Sequence, residues 1–198
     1  ILLVDRGSVS DARGNLTRIG DLVRRHGRLT GQLRVFAYKS SSPLGPVSVE
    51  HAVAESLKIL AARVKEGGVA VKTDIDADLN VVADQTRLEQ LFCNIVANAL
   101  DAVEGVEQKS ILIRANQEQG QAARCRIAIS NSGPAIASDV VQRMFEPFVT
   151  TKPAGMGVGL GLMLSNHIAR SFGGELRARN LPGGAEFVVT LPLADIAE

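Results

Sequence analysis

Four alternating glycines directly before an amphipathic segment constrain this chain more than any other part of its sequence. Gly155, Gly157, Gly159 and Gly161 occupy alternate positions, and apolar residues then recur at helical spacing through residues 160–172. A glycine-rich loop that opens a helix presents backbone N–H groups at the positive end of the helix dipole, which suits a polyphosphate. The spacing matches neither G-x-x-x-x-G-K-S/T nor a strand-first G-x-G-x-x-G motif. The run alone leaves two interpretations open, a phosphate-binding loop and a mobile loop.

A second segment, residues 84–102, carries polar residues that suit a metal ion. Its apolar residues follow the i, i+3, i+4, i+7 spacing of a helix packed on a core, and Asp84 is a suitable N-cap. Asn94, Asn98 and Asp101 fall together on the other side of that helix. An ordinary solvated face is the alternative, but asparagine is a mediocre helix former. Its carbonyl is a hard oxygen donor suited to Mg²⁺, which shares few protein ligands with phosphate and water.

Together these segments resemble the nucleotide-binding boxes of sensor histidine kinases. The Asn-x-x-x-Asn helix resembles the N box, residues 145–148 (Phe-Glu-Pro-Phe) the F box, and the glycine run through Leu162 the second glycine box. That ATP-binding domain belongs to a superfamily shared with gyrase, Hsp90 and MutL. The resemblance covers about residues 47–193, and residues 173–192 resemble the closing strands. It implies an α/β fold, a two-layer sandwich in which helices cover one face of a mixed sheet.

The resemblance implies ATP and Mg²⁺ as ligands and places the site residue by residue. Asn98, together with Asn94, would hold Mg²⁺ with the phosphates, and Asn131 would read the adenine. No catalytic side chain is implied within this chain. The implied nucleotide-binding residues are Asn94, Asn98, Asp101, Asn131, Gly133, Ala135, Lys152, Gly155, Gly157, Val158, Gly159, Leu160 and Gly161.

Residues 137–157 would form a mobile lid over the nucleotide. Lys152 is the natural phosphate contact in this lid. A solvated lysine is the alternative, but the Thr-Thr before it and the glycines after it favour contact with phosphate. We expect Phe145 and Phe148 to be hydrophobic anchors that seat the lid rather than residues that stack on adenine.

One box departs from the family pattern. Family members carry Asp-x-Gly-x-Gly, in which the carboxylate accepts a hydrogen bond from the adenine amino group; here Asn131, Gly133 and Ala135 occupy those positions. Asparagine loses the charge-assisted bond, at a cost of about 1 kcal/mol. Its amide could also donate to guanine O6, which would relax purine selectivity. Ala135 adds a methyl group where the loop favours positive φ. We expect nucleotide binding to be weakened rather than lost.

Asn94 distinguishes a kinase from a hydrolase. In the ATPase branches of the superfamily, a glutamate at this position activates water, and asparagine cannot act as a general base. Phosphoryl transfer needs mainly positioning and charge neutralisation. This favours a kinase, and the resemblance implies a histidine kinase domain that passes the ATP γ-phosphate to a histidine outside this chain and then to a response-regulator aspartate. Two alternatives are a pseudokinase that acts as a dimeric signalling scaffold with weakened nucleotide binding, and a stand-alone ATPase.

The first 40 residues predict a long helix that needs a partner helix. Heptad-like spacing joins Leu16, Ile19, Val23, His26, Thr30, Leu33 and Ala37. The segment resembles the second helix of a kinase dimerisation hairpin, which implies a homodimer through the N-terminal helices. The phosphoacceptor box belongs to the first helix and is absent here, so we interpret His26 as an interface residue.

Composition sets the remaining bounds. With 198 residues and 45% hydrophobic content, the chain can bury one sizeable core plus an appendage. A net charge of +1 argues against a nucleic-acid partner. Cys93 and Cys125 lack a C-x-x-C spacing and predict buried, reduced thiols without a zinc site. No membrane-spanning run or signal peptide is present, and the chain begins with isoleucine. We therefore expect a fragment, and the resemblance to sensor kinases implies the cytoplasmic part of a bacterial inner-membrane protein, anchored only through a missing N-terminal sensor region.

The predicted organisation has three parts. Residues 1–40 form the distal part of the dimerisation hairpin, residues 41–46 a linker, and residues 47–198 the catalytic ATP-binding domain, in a style most similar to C4-dicarboxylate and nitrogen sensor kinases. Within the last part, the spacing predicts a helix over 48–65 and strands over 69–74, 81–83, 110–117 and 124–130.

Overall fold

The computed structural model describes residues 43–118, 123–152 and 158–194, together with residues 12, 14–16 and 19–20. The chain divides into two compact units, residues 1–40 and residues 41–198. In the first unit the described residues are all helical, as the heptad spacing predicts. The rest of that predicted helix, including His26, lies outside the described residues.

Helix α1 (Val49–Gly67) is bounded by the capping residues at its two ends. The Ser48 hydroxyl accepts a hydrogen bond from the backbone N–H of His51 at 3.2 Å, so Ser48 is the N-cap. The helix ends where Gly68 takes a φ of 63°, a left-handed conformation that glycine adopts without strain. The helix packs against the helix Gln85–Ala102. Its buried residues are Val49, Ala52, Val53, Ser56 and Leu60.

Helix α2 (Gln85–Ala102) begins at the predicted cap. The Asp84 carboxylate accepts from the backbone N–H of Arg87 at 2.9 Å. The apolar face is buried against the sheet and the other helices, and its members are Leu88, Leu91, Phe92, Ile95, Val96, Ala99 and Leu100. Two further helices follow in the chain, α3 (Ser138–Arg143) and α4 (Gly161–Ser171).

The seven strands form a five-stranded mixed sheet and a two-stranded ribbon. In chain order they are β1 (Gly45–Ser48), β2 (Ala70–Ile75), β3 (Asn80–Ala83), β4 (Ser110–Glu118), β5 (Arg124–Asn131), β6 (Glu175–Leu181) and β7 (Gly184–Pro192). The large sheet has the order β2-β4-β5-β7-β6, and only the β2–β4 pair is parallel. Alternate residues of the central strands, such as Ile113, Ile129 and Val189, are fully buried on the face that packs against the helices. The predicted α/β fold is confirmed.

The opposite face of the sheet carries a cross-strand charged cluster. Glu186 of β7 is 6% exposed and accepts from Arg126 of β5 at 3.1 Å and from the Nε of Arg179 of β6 at 2.6 Å. The hydroxyl of Ser130 donates to the second carboxylate oxygen at 3.1 Å. A nearly buried carboxylate needs such partners, so this cluster fixes β5, β7 and β6 against one another.

Two segments predicted as linker and lid contain regular structure. Gly45 and Pro46, assigned above to the linker, already belong to strand β1, which pairs antiparallel with β3. Backbone pairing decides this point, and a Gly-Pro sequence gives no sign of it. The predicted lid over residues 137–157 also contains a regular element, because α3 occupies Ser138–Arg143.

Candidate nucleotide site

Helix α2 presents the polar residues predicted to bind Mg²⁺ and phosphate. Asn94 and Asn98 lie one turn apart and are both half-buried, beside the fully buried Ile95 and Ala99. Among the described residues, the side chain of Asn98 makes no hydrogen bond. Its amide oxygen is therefore available to a ligand.

Asn94 connects α2 to the start of α4. Its Nδ2 donates to the backbone carbonyl of Gly161 at 3.4 Å, a long hydrogen bond. The Ser165 hydroxyl donates to the same carbonyl at 3.0 Å. Because this contact uses only the amide nitrogen of Asn94, the carbonyl oxygen of the side chain stays available. The structure thus brings together two residues that are 67 positions apart in the sequence, as the predicted site requires.

The helix α4 begins without a side-chain cap. Leu160 occupies the N-cap position, and no side chain in the described ranges caps the first turn. The N–H groups of that turn are consequently open to an external acceptor at the positive end of the helix dipole. Leu160 itself is 5% exposed, so its side chain belongs to the core and only its backbone can serve the site.

Gly159 lies just after the predicted lid and is joined to Phe148 within it by a backbone hydrogen bond. It has a φ of 69°, and its carbonyl accepts from the backbone N–H of Phe148 at 3.1 Å. A Cβ added at Gly159 would lie 2.5 Å from both the carbonyl carbon of Phe148 and the carbonyl oxygen of Val149. Only glycine fits this position, for reasons of both conformation and space.

The expectation that Phe148 anchors the lid is wrong. Phe148 is 70% exposed and has a φ of 66°, a strained conformation for a bulky residue. Phe145 is half-buried, and the fully packed residue of this segment is Met144, which is 5% exposed. The turn after α3 therefore directs the methionine inward, and the Phe-x-x-Phe spacing does not reveal that turn.

Asp101 lies between two cations. Its Oδ1 accepts from the guanidinium of Arg63 on α1 at 2.5 Å, and its Oδ2 pairs with the ammonium of Lys152. Lys152, predicted to contact phosphate, is thus held by a carboxylate of α2 in this structure. The ion pair places the lysine beside the same helix that carries Asn94 and Asn98.

Asn131 ends strand β5 in a tightly packed turn. It is 6% exposed, and its Oδ1 accepts from the backbone N–H of Gly133 at 2.9 Å. A Cβ at Gly133 would lie 2.6 Å from the carbonyl oxygen of Ala102 and 2.8 Å from Oδ1 of Asn131. Gly133 is therefore required here, and the turn sits directly against the end of α2.

The loop after this turn accommodates Ala135 without backbone strain. Among the described residues, positive φ outside glycine occurs only at Asp78 and Phe148, so the concern about Ala135 is not supported. Asn180 of β6 holds the end of the loop by donating to the carbonyl of Ile136 at 2.9 Å and accepting from its N–H at 2.8 Å.

The remaining predicted residues fall into two groups. Gly155 and Gly157 lie outside the described residues. Val158 is half-buried beside Gly159. In the part of the chain that the structure describes, no group of three His, Cys, Asp or Glu side chains could hold a metal ion. The donor set offered to a metal is therefore the asparagine amides of α2, which fit a hard cation shared with phosphate oxygens.

The two thiols lie on the core side of the domain and are both free. Cys125 is fully buried, and burial raises the pKa of its thiol to about 12. Cys93 is only half-buried, contrary to the predicted full burial, and burial raises its pKa as well. Both are protonated at neutral pH and take no part in the site.

The comparisons with known proteins agree with this geometry. The family described as histidine kinase-, DNA gyrase B- and HSP90-like ATPase matches residues 83–195. The chain belongs to this family. The C4-dicarboxylate transport sensor protein DctB of Rhizobium meliloti (strain 1021) is 34% identical over 190 residues, which cover 96% of this chain and 30% of the relative. The chain thus spans about a third of the length of the curated relatives it matches.

Two solved histidine kinases have the same fold. Full-length ShkA in complex with AMPPNP superimposes with a TM-score of 0.76 and 27% identity, covering 96% of this chain and 40% of that protein. The catalytic domain of ThkA gives a TM-score of 0.68 at 27% identity, covering 77% of this chain and 97% of that domain. ThkA has also been solved with the response regulator protein TrrA. The predicted resemblance is confirmed: the chain carries the ATP-binding catalytic domain of a sensor histidine kinase.

Three residues around the site are not predicted by the sequence. Arg63 pairs with Asp101 from a different helix, and Asn180 holds the loop after Asn131 from the edge strand. Ser165 supports the Gly161 carbonyl. Arginine, asparagine and serine at such positions are common on exposed surfaces, and the sequence contains no spacing signal that distinguishes them.

Proposed function

We propose that this chain is the nucleotide-binding part of a kinase that passes the γ-phosphate of ATP to a histidine outside this chain, and thence to an aspartate of a response regulator. The observation that carries the proposal is the contact between α2 and the start of α4. Asn94 bonds the first residue of α4, whose first turn has no side-chain cap, and Asn98 has a free amide one turn further along α2.

The phosphate end of the nucleotide would lie at the start of α4. The open N–H groups there, the helix dipole and the nearby Lys152 all favour negative charge. Gly159 and Gly161 allow the backbone to approach closely, since neither position carries a side chain. We infer that the phosphates displace the Asp101 carboxylate as the partner of Lys152.

Asn98, assisted by Asn94, would hold Mg²⁺ together with phosphate oxygens. The amide oxygen of Asn98 is free among the described residues, and that of Asn94 is not used in its bond to Gly161. When bound, the ion supplies charge neutralisation at the phosphates. The two side chains orient the phosphate tail along α2 and cannot activate water, because an amide is not a base. Transfer to a protein acceptor is therefore favoured over hydrolysis.

Assembly and location are also proposals. We propose that the full protein is a homodimer through the N-terminal helices; in the described part of that unit, Leu16 and Ile19 are helical and are 68% and 55% exposed. A response-regulator receiver domain is the proposed partner, as ThkA binds TrrA. No helix in the described ranges is long and apolar enough to cross a membrane. We propose a cytoplasmic location for this domain within a protein anchored to the inner membrane through a preceding sensor region.

A dimeric signalling scaffold is the second candidate function. The observation that favours it is the hydrogen bond between Asn131 Oδ1 and the Gly133 N–H, which occupies the only oxygen that this side chain could offer to adenine. A scaffold of this kind would fold normally and bind no nucleotide.

Calorimetric titration with ATP, with and without Mg²⁺, separates the two candidates. We expect saturable binding that requires Mg²⁺, and we expect Asn98→Ala to lower the affinity at least about tenfold through loss of the metal ligand. The matched control is Asn116→Ala, which removes the same group from an exposed position of β4. A folded chain without measurable binding would favour the scaffold, and equal affinities of the two variants would remove Asn98 from the site.

A further inference from the structure

Asn131 is fixed in position on both sides of its strand. Its backbone pairs with Ile111 of β4 and with Ala185 of β7. The side chain falls on the same face of β5 as Ile127 and Ile129, the face that the helices cover. Ser132, the next residue, donates from its N–H to the Ser110 carbonyl at 3.1 Å. The side chain of Asn131 therefore cannot move far in response to a ligand.

The orientation of the Asn131 amide is determined by its backbone neighbour. The N–H of Gly133 can only donate, so the atom 2.9 Å away from it must be the side-chain oxygen. Gly133 lies close to the end of α2, since a Cβ added there would be 2.6 Å from the Ala102 carbonyl oxygen. The amide oxygen is thus committed to the turn, and Nδ2 is the group that remains.

The Nδ2 group of Asn131 makes no hydrogen bond to any described residue. Within the same residues, no side-chain nitrogen or oxygen is sealed from solvent without a partner. Nδ2 therefore reaches the open side of the turn, where the base of a nucleotide would lie. A side chain that is more than nine-tenths buried thus keeps one hydrogen-bond donor open to a ligand.

Aspartate and asparagine differ in the side-chain atom that remains for the base once one oxygen has accepted from the Gly133 N–H. A carboxylate has two oxygens, so one can accept from Gly133 while the second accepts from the amino group at C6 of adenine. Asparagine has one oxygen, which already accepts from Gly133, and its other terminal group is a donor. The amino group of adenine would then face the Nδ2 donor, which leaves both unpaired. A 6-oxopurine presents a carbonyl oxygen at the same place and can accept from Nδ2.

We propose that Asn131 is a specificity-determining residue that turns this site toward 6-oxopurine nucleoside triphosphates, at the expense of ATP. This inference rests on the proposed nucleotide site. It assigns to one side chain a change in base preference, while the phosphate and Mg²⁺ contacts on α2 and α4 stay the same for either base.

Paired titrations with Mg·ATP and Mg·ITP test the inference on the full chain and on Asn131→Asp. Hypoxanthine differs from adenine at C6 and at the adjacent N1, which carries a hydrogen, and unlike guanine it has no amino group at C2, so the comparison is confined to the edge of the base that carries the C6 substituent. We expect the wild-type chain to bind ITP at least as tightly as ATP. We expect Asn131→Asp to shift the affinity ratio at least about tenfold toward ATP, the effect of one unpaired polar contact.

Asn116→Asp is the matched control, since it adds the same charge at an exposed position. Its affinity ratio should equal that of the wild-type chain, and circular dichroism would verify that each variant is folded. Tighter binding of ATP than of ITP by the wild-type chain, with no change of ratio in Asn131→Asp, would overturn the inference and leave the proposed function intact. Binding of neither nucleotide to the wild-type chain would overturn both.

Discussion

The two ends of the candidate site are built in different ways. At the base end, the Asn131–Gly133 turn is packed against Ala102 and held by hydrogen bonds within the protein. At the phosphate end, Lys152 is held by an ion pair between half-buried groups, and the first turn of α4 has no cap. At the base end, hydrogen bonds within the protein hold the turn and leave Nδ2 of Asn131 for a ligand, whereas the phosphate end has contacts that a ligand can replace.

This difference assigns separate tasks to the two ends. A rigid turn can discriminate between bases, because an unsuitable group finds no compensating movement. A phosphate end with exchangeable contacts can respond to occupancy, because the ligand competes with Asp101 for Lys152. Specificity would therefore reside in β5 and its neighbours, and conformational response in the segment around α4.

The largest effect is expected from Gly159→Ala, which adds a methyl group at a closely packed position of the phosphate end. The new methyl group would meet backbone atoms at 2.5 Å and would hold a φ of 69°. We expect the free energy of unfolding to fall by about 3 kcal/mol. We also expect Mg·ATP affinity to fall at least about tenfold in calorimetric titration.

Gly68→Ala is the matched control for that substitution. Gly68 has a similar φ of 63°, but an added Cβ would meet nothing within 4 Å. We expect a loss of only about 1 kcal/mol, from the left-handed conformation alone, and unchanged nucleotide affinity. Similar chemical denaturation curves for the two variants would show that space around Gly159 does not matter.

An intermediate effect is expected from Asn180→Ala, which loosens the base end. The substitution removes both hydrogen bonds to the Ile136 backbone, and the expected loss of unfolding free energy is about 1–2 kcal/mol. Asn180→Asp keeps the acceptor for the Ile136 N–H but places a carboxylate oxygen against the Ile136 carbonyl oxygen, so it too should be less stable than the wild-type chain. If both variants were as stable as the wild-type chain in urea, the base end would not depend on β6.

The smallest effect is expected from Asp101→Asn, which frees Lys152. The pair is partly exposed and contributes about 0.2–1 kcal/mol, so Mg·ATP affinity should rise up to about fivefold at low salt. The gain should disappear at high ionic strength and in the Lys152→Met background. A fall in affinity would mean that Asp101 acts on the nucleotide itself or through Arg63.

The sequence predicts the parts of this domain that depend on local pattern. Helix α2 and its Asp84 cap follow from period and capping chemistry, and strand β5 is predicted to within one residue. The pair between Asp101 and Lys152, 51 residues apart, depends on tertiary placement and leaves no local pattern. The same holds for Phe148, whose exposure results from a positive φ in a turn. The oxygen of Asn131 is committed by a neighbour two residues away, yet only coordinates show which atom faces the ligand.

The two ends of the β1–β3 ribbon would respond differently to a force on the chain that enters it. Gly45 pairs with Ala83 and Ser48 with Asn80, so the chain enters the ribbon at the end nearest Asp84, the cap of α2. A force applied through the residues before Gly45 would act on the Gly45–Ala83 pair first, and the pairs would then separate in order toward Ser48–Asn80. The other end is fastened by the Ala194 N–H on the Asn80 carbonyl. A pull on the entering chain is thus concentrated where the helix carrying Asn94 and Asn98 begins.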